Sequence, residues 1–84
     1  MLPYEEEVRG LLCEVLGLEE IGQVGADEDL QAIGFDSLNF IKLVIAIEDR
    51  YELEFPEEKL GLQFVRNIHD ICSLIEELSA ARAD

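Results

Sequence analysis

Ser37 is the side chain of this 84-residue sequence whose surroundings most favour chemistry. It follows Asp36 at the point where a glycine-containing loop reaches the start of a predicted helix. Backbone N–H groups and the helix dipole at such a junction favour a phosphate on the neighbouring oxygen. A plain helix cap also explains the position, because Asp and Ser both accept hydrogen bonds from a first helical turn. Position alone leaves both interpretations open.

Serine hydrolase chemistry is not supported around Ser37. A nucleophile elbow needs Gly-x-Ser-x-Gly, whereas the sequence has Gly34-Phe35-Asp36-Ser37-Leu38. The single histidine, His69, lies in the first turn of the last predicted helix, and no other side chain is an evident base for Ser37. We therefore expect that the chain is not an enzyme.

The acidic residues do not form a metal-binding motif. An EF-hand loop that began at Asp27 would need a glycine at its sixth position and a glutamate at its twelfth, where the sequence has Ala32 and Leu38. One histidine and two separated cysteines provide none of the CxxC or HxxxH spacings of zinc sites. The sequence predicts no metal site.

The charge balance restricts the partners of the chain. Six Lys and Arg against 20 Asp and Glu give a formal net charge of −14. Nucleic acids and anionic membranes both require cations on the protein, so we expect neither as a partner. Basic protein surfaces are favoured, because opposite charges steer the encounter. No membrane span and no signal peptide is evident, and we expect a cytoplasmic monomer.

Apolar periodicity predicts two helices in the first part of the chain. One covers residues 4–16 and ends at Gly17, since glycine readily adopts the left-handed conformation of a C-cap. The other begins at Asp36 and Ser37 and continues to Tyr51, with an apolar arc wider than one packing face requires. The expected inward stripe of this helix is Phe40, Leu43, Val44, Ile47 and Tyr51.

The second part of the chain predicts a short helix and a long final one. A proline favours the first turn of a helix over residues 56–60, which would end at Gly61. Asn67 is the expected N-cap of the last helix. Cys13 and Cys72 lie on apolar helix faces, so we expect two buried, reduced thiols, with a disulfide between them as the alternative.

The connection over residues 18–36 is long for a small domain, and such loops are usually functional or contain a short helical turn. Residues 30–33 are predicted to form one such turn. We expect one domain over residues 1–84, all-α, with three main helices and one short helix. The apolar residues expected to attach the loop to the core are Leu18, Ile21, Val24, Leu30, Ile33 and Phe35.

Three motifs occur in register with these elements. Leu30-x-x-Ile33-Gly34-x-Asp36-Ser37-Leu38 precedes the second helix, Phe55-Pro56-Glu57 begins the short helix, and Phe64-x-x-Asn67-Ile68-x-Asp70-Ile71 begins the last. In this order they resemble the acyl and peptidyl carrier proteins, which hold 4′-phosphopantetheine on the serine of an Asp-Ser-Leu motif. The resemblance covers nearly the whole chain and implies a four-helix carrier-protein bundle.

The resemblance implies roles for single positions. Ser37 would take 4′-phosphopantetheine through a phosphodiester, Asp36 would be read by the phosphopantetheinyl transferase, and Leu38 would contact partner enzymes. The protein would carry acyl or aminoacyl groups as thioesters to loading and downstream enzymes with basic docking patches. The implied partner contacts at and along the second helix are Leu38, Asn39, Lys42, Ile45, Glu48 and Asp49.

Two positions depart from the pattern of fatty-acid carriers, which usually have acidic residues directly after Asp-Ser-Leu and three residues further on. This sequence has Asn39 and Lys42 there. The departures imply a polyketide, nonribosomal-peptide or other specialised pathway, and leave fatty-acid synthesis and D-alanyl transfer as alternatives. Alternatives of another class are an unmodified protein-interaction domain and a small acidic metal-binding regulator.

Overall fold

In the part of the chain that the structure describes, three α-helices pack around one core. The structure, a computed structural model, describes residues 3–19 and 24–83, with the backbone alone for 81–83. The helices are α1, Glu5–Leu16, α2, Ser37–Tyr51, and α3, Ile68–Ala83. α1 packs against both α2 and α3, and all three contribute buried side chains to a single apolar cluster. The predicted all-α fold is confirmed.

The helices bury the stripes that their sequence periodicity predicts. On α2 the buried residues are four of the five predicted ones, and Tyr51 is half-buried at the end of the helix. The Tyr51 ring meets the ring of Tyr4 edge-on, with centroids 5.5 Å apart, so it closes the gap between α1 and the end of α2. The buried residues of α2 and α3 are Phe40, Leu43, Val44, Ile47, Ile68, Ile71, Cys72, Leu74 and Ile75.

The long connection between α1 and α2 is attached to the core by some of the expected side chains. Leu30–Ile33 forms a 3₁₀ turn, as predicted, and Leu30 and Phe35 are 0% and 2% exposed. The Leu30 N–H also donates to the Arg66 carbonyl oxygen at 2.9 Å. Leu18 is exposed, so its expected contact with the core is wrong, and Ile21 lies outside the described residues. Val24 and Ile33 are partly buried against the core.

Hydrogen bonds tie the same connection to α1 and α3. Arg9 on α1 forms an ion pair with Glu5 at 3.1 Å, and its Nη1 donates to the Val24 carbonyl oxygen at 2.8 Å. The His69 N–H, in the first turn of α3, donates to the Ala26 carbonyl oxygen at 3.0 Å. That bond supplies a partner for a helix-terminal N–H group that has no acceptor inside its own helix. The connection therefore bridges two helices that flank it in space.

The short helix predicted over residues 56–60 is confirmed in position and is a 3₁₀ helix, Glu57–Lys59, between Pro56 and Leu60. A second 3₁₀ turn, Leu62–Phe64, follows it and is not predicted by the sequence. Gly61 lies between them with φ of −172°, which is extended backbone and not a left-handed helix end. Helical segments this short favour the tighter i→i+3 bonding of 3₁₀ turns. The Lys59 Nζ lies 5.4 Å from the centroid of the Phe64 ring, a cation–π contact that links the two turns.

Predicted caps at two helix ends are confirmed. Gly17 ends α1 in the left-handed conformation, with φ of 72°. At the start of α3, Asn67 Oδ1 accepts the Asp70 N–H at 2.8 Å. In a capping box the Asp70 carboxylate would accept the N–H of the N-cap residue, Asn67. Here it accepts the N–H of Arg66, one residue earlier, at 3.1 Å.

Both cysteines are free thiols, so the alternative of a disulfide between them is wrong. Cys72 is buried on α3 as expected, and desolvation by burial raises the pKa of its thiol to about 11. Cys13 is half-buried and packs at the edge of the core, where the sequence predicted full burial.

Gly10 offers a direct test of the α1 assignment. It is exposed in the middle of the helix, and nothing lies within 4 Å of the position that a Cβ would take. We expect Gly10→Ala to stabilise the fold by about 1 kcal/mol, because glycine is that much less favourable than alanine in a helix. The melting temperature, followed by far-ultraviolet circular dichroism, should rise by about 4–8 °C.

Gly17→Ala is the matched control. Position 17 has equally open space, but its φ is +72°. Alanine is strained in that conformation by about 1–2 kcal/mol, so this variant should melt at a lower temperature than the parent. A shift of the same sign in both variants would contradict the assignment of Gly17 as the left-handed end of α1.

Candidate functional site

Ser37 is the first residue of α2, and its side chain is exposed. The other two serines, Ser73 and Ser79, lie within α3. The first N–H groups of a helix have no carbonyl partner inside the helix and carry the positive end of its dipole. An anion on the Ser37 oxygen would therefore be stabilised by the backbone of α2, which is the property a phosphodiester needs.

Asp36 is the cap of α2. Its backbone is extended, with φ of −127° and ψ of −172°, and its Oδ1 accepts the Asn39 N–H at 2.9 Å. The structure thus separates two residues that the sequence placed together as possible caps. The interpretation of Ser37 as a plain N-cap is wrong, because Asp36 fills that role and the serine follows it inside the helix.

Asn39 joins the start of α2 to the preceding turn. Its Nδ2 donates to the Gly34 carbonyl oxygen at 3.0 Å, and Gly34 has φ of 96° in the left-handed region. The residue is half-buried. The sequence predicts Asn39 as a partner contact and contains no signal for this bond, since a side-chain bond to a backbone group five residues earlier leaves no periodic pattern.

An apolar groove begins beside Ser37. It has a volume of about 480 Å³ and lies between α2 and the segment that separates the two later 3₁₀ turns. Sequence patterns do not indicate it, because its walls come from segments distant in the chain. The lining residues are Ser37, Phe40, Ile41, Val44, Ile45, Leu60, Gly61 and Leu62.

Four exposed residues form what we call the outer face of α2: Leu38, Ile41, Lys42 and Ile45. Ile41 and Lys42 each lie three or four residues from both Leu38 and Ile45, so the four side chains share one side of the helix. Leu38, Ile41 and Ile45 are 62%, 55% and 61% exposed, and as neighbours on one face they form a contiguous apolar patch that is available for contact. This face accounts for the apolar arc that exceeds the packing stripe.

The two acidic residues predicted as contacts on α2 differ in their surroundings. Glu48 is half-buried, and its Oε2 accepts the Phe55 N–H at 2.9 Å. The carboxylate thereby fixes the chain where it leaves α2, a structural contact that the sequence did not indicate. Asp49 is exposed.

Two acidic residues of the loop accept hydrogen bonds from nearby backbone N–H groups and so stabilise local turns. Glu28 Oε1 accepts the Gly25 N–H at 2.9 Å, and Asp29 Oδ1 accepts the Gln31 N–H at the same distance. Within residues 3–19 and 24–83, no group of three or more His, Cys, Asp or Glu side chains is placed to hold a metal ion. In the same ranges, no helix combines the length and apolar character that crossing a bilayer requires.

Comparison with known proteins links this geometry to a family. Residues 6–75 match the family model described as phosphopantetheine attachment site. An acyl carrier protein of Akkermansia muciniphila is 28% identical over 74 residues, which cover 88% of this chain and 90% of the relative.

Solved structures share the fold. A holo acyl carrier protein from Geobacter metallireducens has a TM-score of 0.78 at 20% identity, covering 98% of this chain and 92% of its own. The 3-oxo-butyl-ACP intermediate mimic of the actinorhodin polyketide synthase from Streptomyces coelicolor has a TM-score of 0.74 at 25% identity, covering 96% and 95%. The family match spans most of the sequence, including the junction at Ser37, and the chain therefore belongs to the acyl carrier protein family, whose cofactor is 4′-phosphopantetheine.

Proposed function

We propose that the protein carries acyl or aminoacyl groups as thioesters on a 4′-phosphopantetheine arm attached to Ser37. The observation that carries this proposal is the exposed Ser37 hydroxyl at the first residue of α2, with the capping role supplied by Asp36. The arm supplies the thiol that forms the thioester. The chain is not itself an enzyme: it holds the arm and presents the cargo to successive partner enzymes.

Attachment of the arm requires a phosphopantetheinyl transferase and coenzyme A. The Ser37 oxygen forms a bond to the phosphorus that bears pantetheine, and the P–O bond of the coenzyme A diphosphate breaks. Adenosine 3′,5′-bisphosphate leaves, and the hydroxyl proton passes to a base of the transferase. Asp36 and Leu38, which flank Ser37 and are both exposed, are the residues that the transferase would contact.

The outer face of α2 is the proposed docking surface for partner enzymes. This face is apolar near Ser37 and carries the positive charge of Lys42. Of the two acidic residues further along α2, Glu48 accepts a hydrogen bond from the Phe55 N–H, and Asp49 is exposed near the end of the helix. Apolar contact close to Ser37 would hold the complex, and the net charge of −14 would steer basic patches toward the rest of the carrier.

Lys42 is the feature that supports a specialised pathway, such as polyketide or nonribosomal-peptide synthesis. A cation at this place repels the basic patches that fatty-acid synthase partners present to their carriers. A fatty-acid or D-alanyl carrier is the alternative. An unmodified protein-interaction domain is the alternative of another class, and the modification of Ser37 distinguishes it.

Modification of Ser37 is the first test. After incubation with coenzyme A and a broad-specificity phosphopantetheinyl transferase, the intact mass of the parent should increase by one phosphopantetheine group. Ser37→Ala should show no increase while its helical circular dichroism is retained, and Ser73→Ala, a change at an exposed serine within α3, should be modified like the parent. A modified Ser37→Ala protein, or an unmodified parent, would contradict the proposal.

Ile45 tests the docking surface. Ile45→Asp should leave the melting temperature nearly unchanged, because the side chain is 61% exposed. It should lower kcat/KM of the same transferase about tenfold, the effect of losing one apolar interface contact of roughly 1–2 kcal/mol. The adjacent Val44→Asp is the control: Val44 is 8% exposed, so a charge there should unfold the domain. Equal stability of the two variants, or an unchanged rate for Ile45→Asp, would count against the surface.

Lys42 tests the pathway assignment. Lys42→Glu should raise kcat/KM with a fatty-acid synthase enzyme that has a basic docking patch about fivefold, the effect of ~1 kcal/mol for an exposed charge contact. Arg66→Glu is the control, because it makes the same change of charge at an exposed position outside α2. If both variants changed kcat/KM equally, Lys42 would act only through the net charge of the protein, and its position would not support a specialised pathway.

A further inference from the structure

Asn39 holds the junction before α2 at two points. Its backbone N–H donates to Asp36 Oδ1 at 2.9 Å, and its side-chain Nδ2 donates to the Gly34 carbonyl oxygen at 3.0 Å. Ser37 lies inside the segment that these two bonds close. The side chain of Asn39 is therefore directed back toward its own chain and is half-buried, unlike the exposed Leu38 and Ile41 near it.

The other end of this segment is fixed by the core. The Gly34 N–H donates to the Gln31 carbonyl oxygen and the Phe35 N–H to the Leu30 carbonyl oxygen, both at 3.1 Å, and Phe35 is 2% exposed. Gly34 has φ of 96°, and its carbonyl shares one peptide group with the Phe35 N–H. The bonds to Asn39 Nδ2 and to the Leu30 carbonyl oxygen therefore hold that peptide from both of its sides.

We propose that Asn39 is a positioning residue for the modification of Ser37. By fixing the Gly34 carbonyl and the Asp36 carboxylate together, it sets the direction in which the chain enters α2 and the direction in which the Ser37 hydroxyl points. This inference rests on the proposed attachment of the arm to Ser37. It also gives a physical reason for the absence of an acidic residue here, because Asp at position 39 would place a carboxylate oxygen against the Gly34 carbonyl oxygen, and both are acceptors.

Single-turnover modification with coenzyme A and excess broad-specificity transferase separates positioning from contact. For Asn39→Asp we expect the maximal rate constant to fall about tenfold, with the half-saturating transferase concentration unchanged, since misorientation affects the bound complex. We also expect a melting temperature lower by about 4–8 °C. A higher half-saturating concentration with an unchanged maximal rate would make Asn39 a transferase contact and overturn the inference. A lower melting temperature with unchanged kinetics would also overturn it, because the role would then be purely structural.

Two further variants separate the loss of the Asn39 hydrogen bond from the effect of an added negative charge. Gln31→Glu makes the same amide-to-carboxylate change at an exposed side chain of the preceding 3₁₀ turn and should leave both kinetic values unchanged. Asn39→Ala removes the donor without adding charge, and alanine is the best helix former, so this variant should fold and show the same loss of maximal rate. Wild-type maximal rates in both Asn39 variants, with Ser37 modified normally in the parent, would overturn the role of Asn39 and leave the attachment at Ser37 intact.

Discussion

The backbone N–H and carbonyl groups of the long connection between α1 and α2 need hydrogen-bond partners, and the position of this connection against the helices depends on where those partners lie. A buried backbone group without a hydrogen bond costs about 1–3 kcal/mol, in a fold whose total stability is roughly 5–15 kcal/mol. In residues 24–36 the connection bonds to its neighbours: to Arg9 on α1 and to the segment before and at the start of α3. Leu30 and Phe35 in this part of the connection are buried in the core.

This arrangement also determines where Ser37, the proposed attachment site, lies. Asp36, the last residue of the connection, has an extended backbone. Phe35 enters the core, and Asp36 is exposed and caps α2. Ser37 follows as the first helical residue, with its hydroxyl exposed beside the apolar groove. The anchoring of the loop and the presentation of the serine are thus two results of the same local geometry.

Local signals predict the helices well, because caps and apolar periodicity act over a few residues. Gly17 and Asn67 mark helix ends for this reason, as does the start of α2 at Asp36. The short helix over residues 56–60 is found in place, but its 3₁₀ form is not predicted, because a proline and a glycine indicate where a helix can begin and end, not which hydrogen bonds form between them. The 3₁₀ turns there are a property of the segment's length.

The site is less accessible to prediction from sequence. The proposal that Ser37 is the attachment point comes from the resemblance to carrier proteins, since position alone favours a plain helix cap. Asn39 and Glu48 are predicted as partner contacts, yet each has a hydrogen bond to a backbone group several residues away, at Gly34 and at Phe55. Such bonds depend on how the chain turns in space, so no spacing rule identifies them.

The burial of Cys72 bears on how securely a thioester cargo stays on the arm. A thiolate attacks thioesters, whereas a protonated thiol is a poor nucleophile. With its side chain in the core and its pKa raised to about 11, Cys72 remains protonated at neutral pH and out of reach of an acyl group held outside. In the proposed function, burial in the folded domain keeps this internal thiol from competing for the cargo.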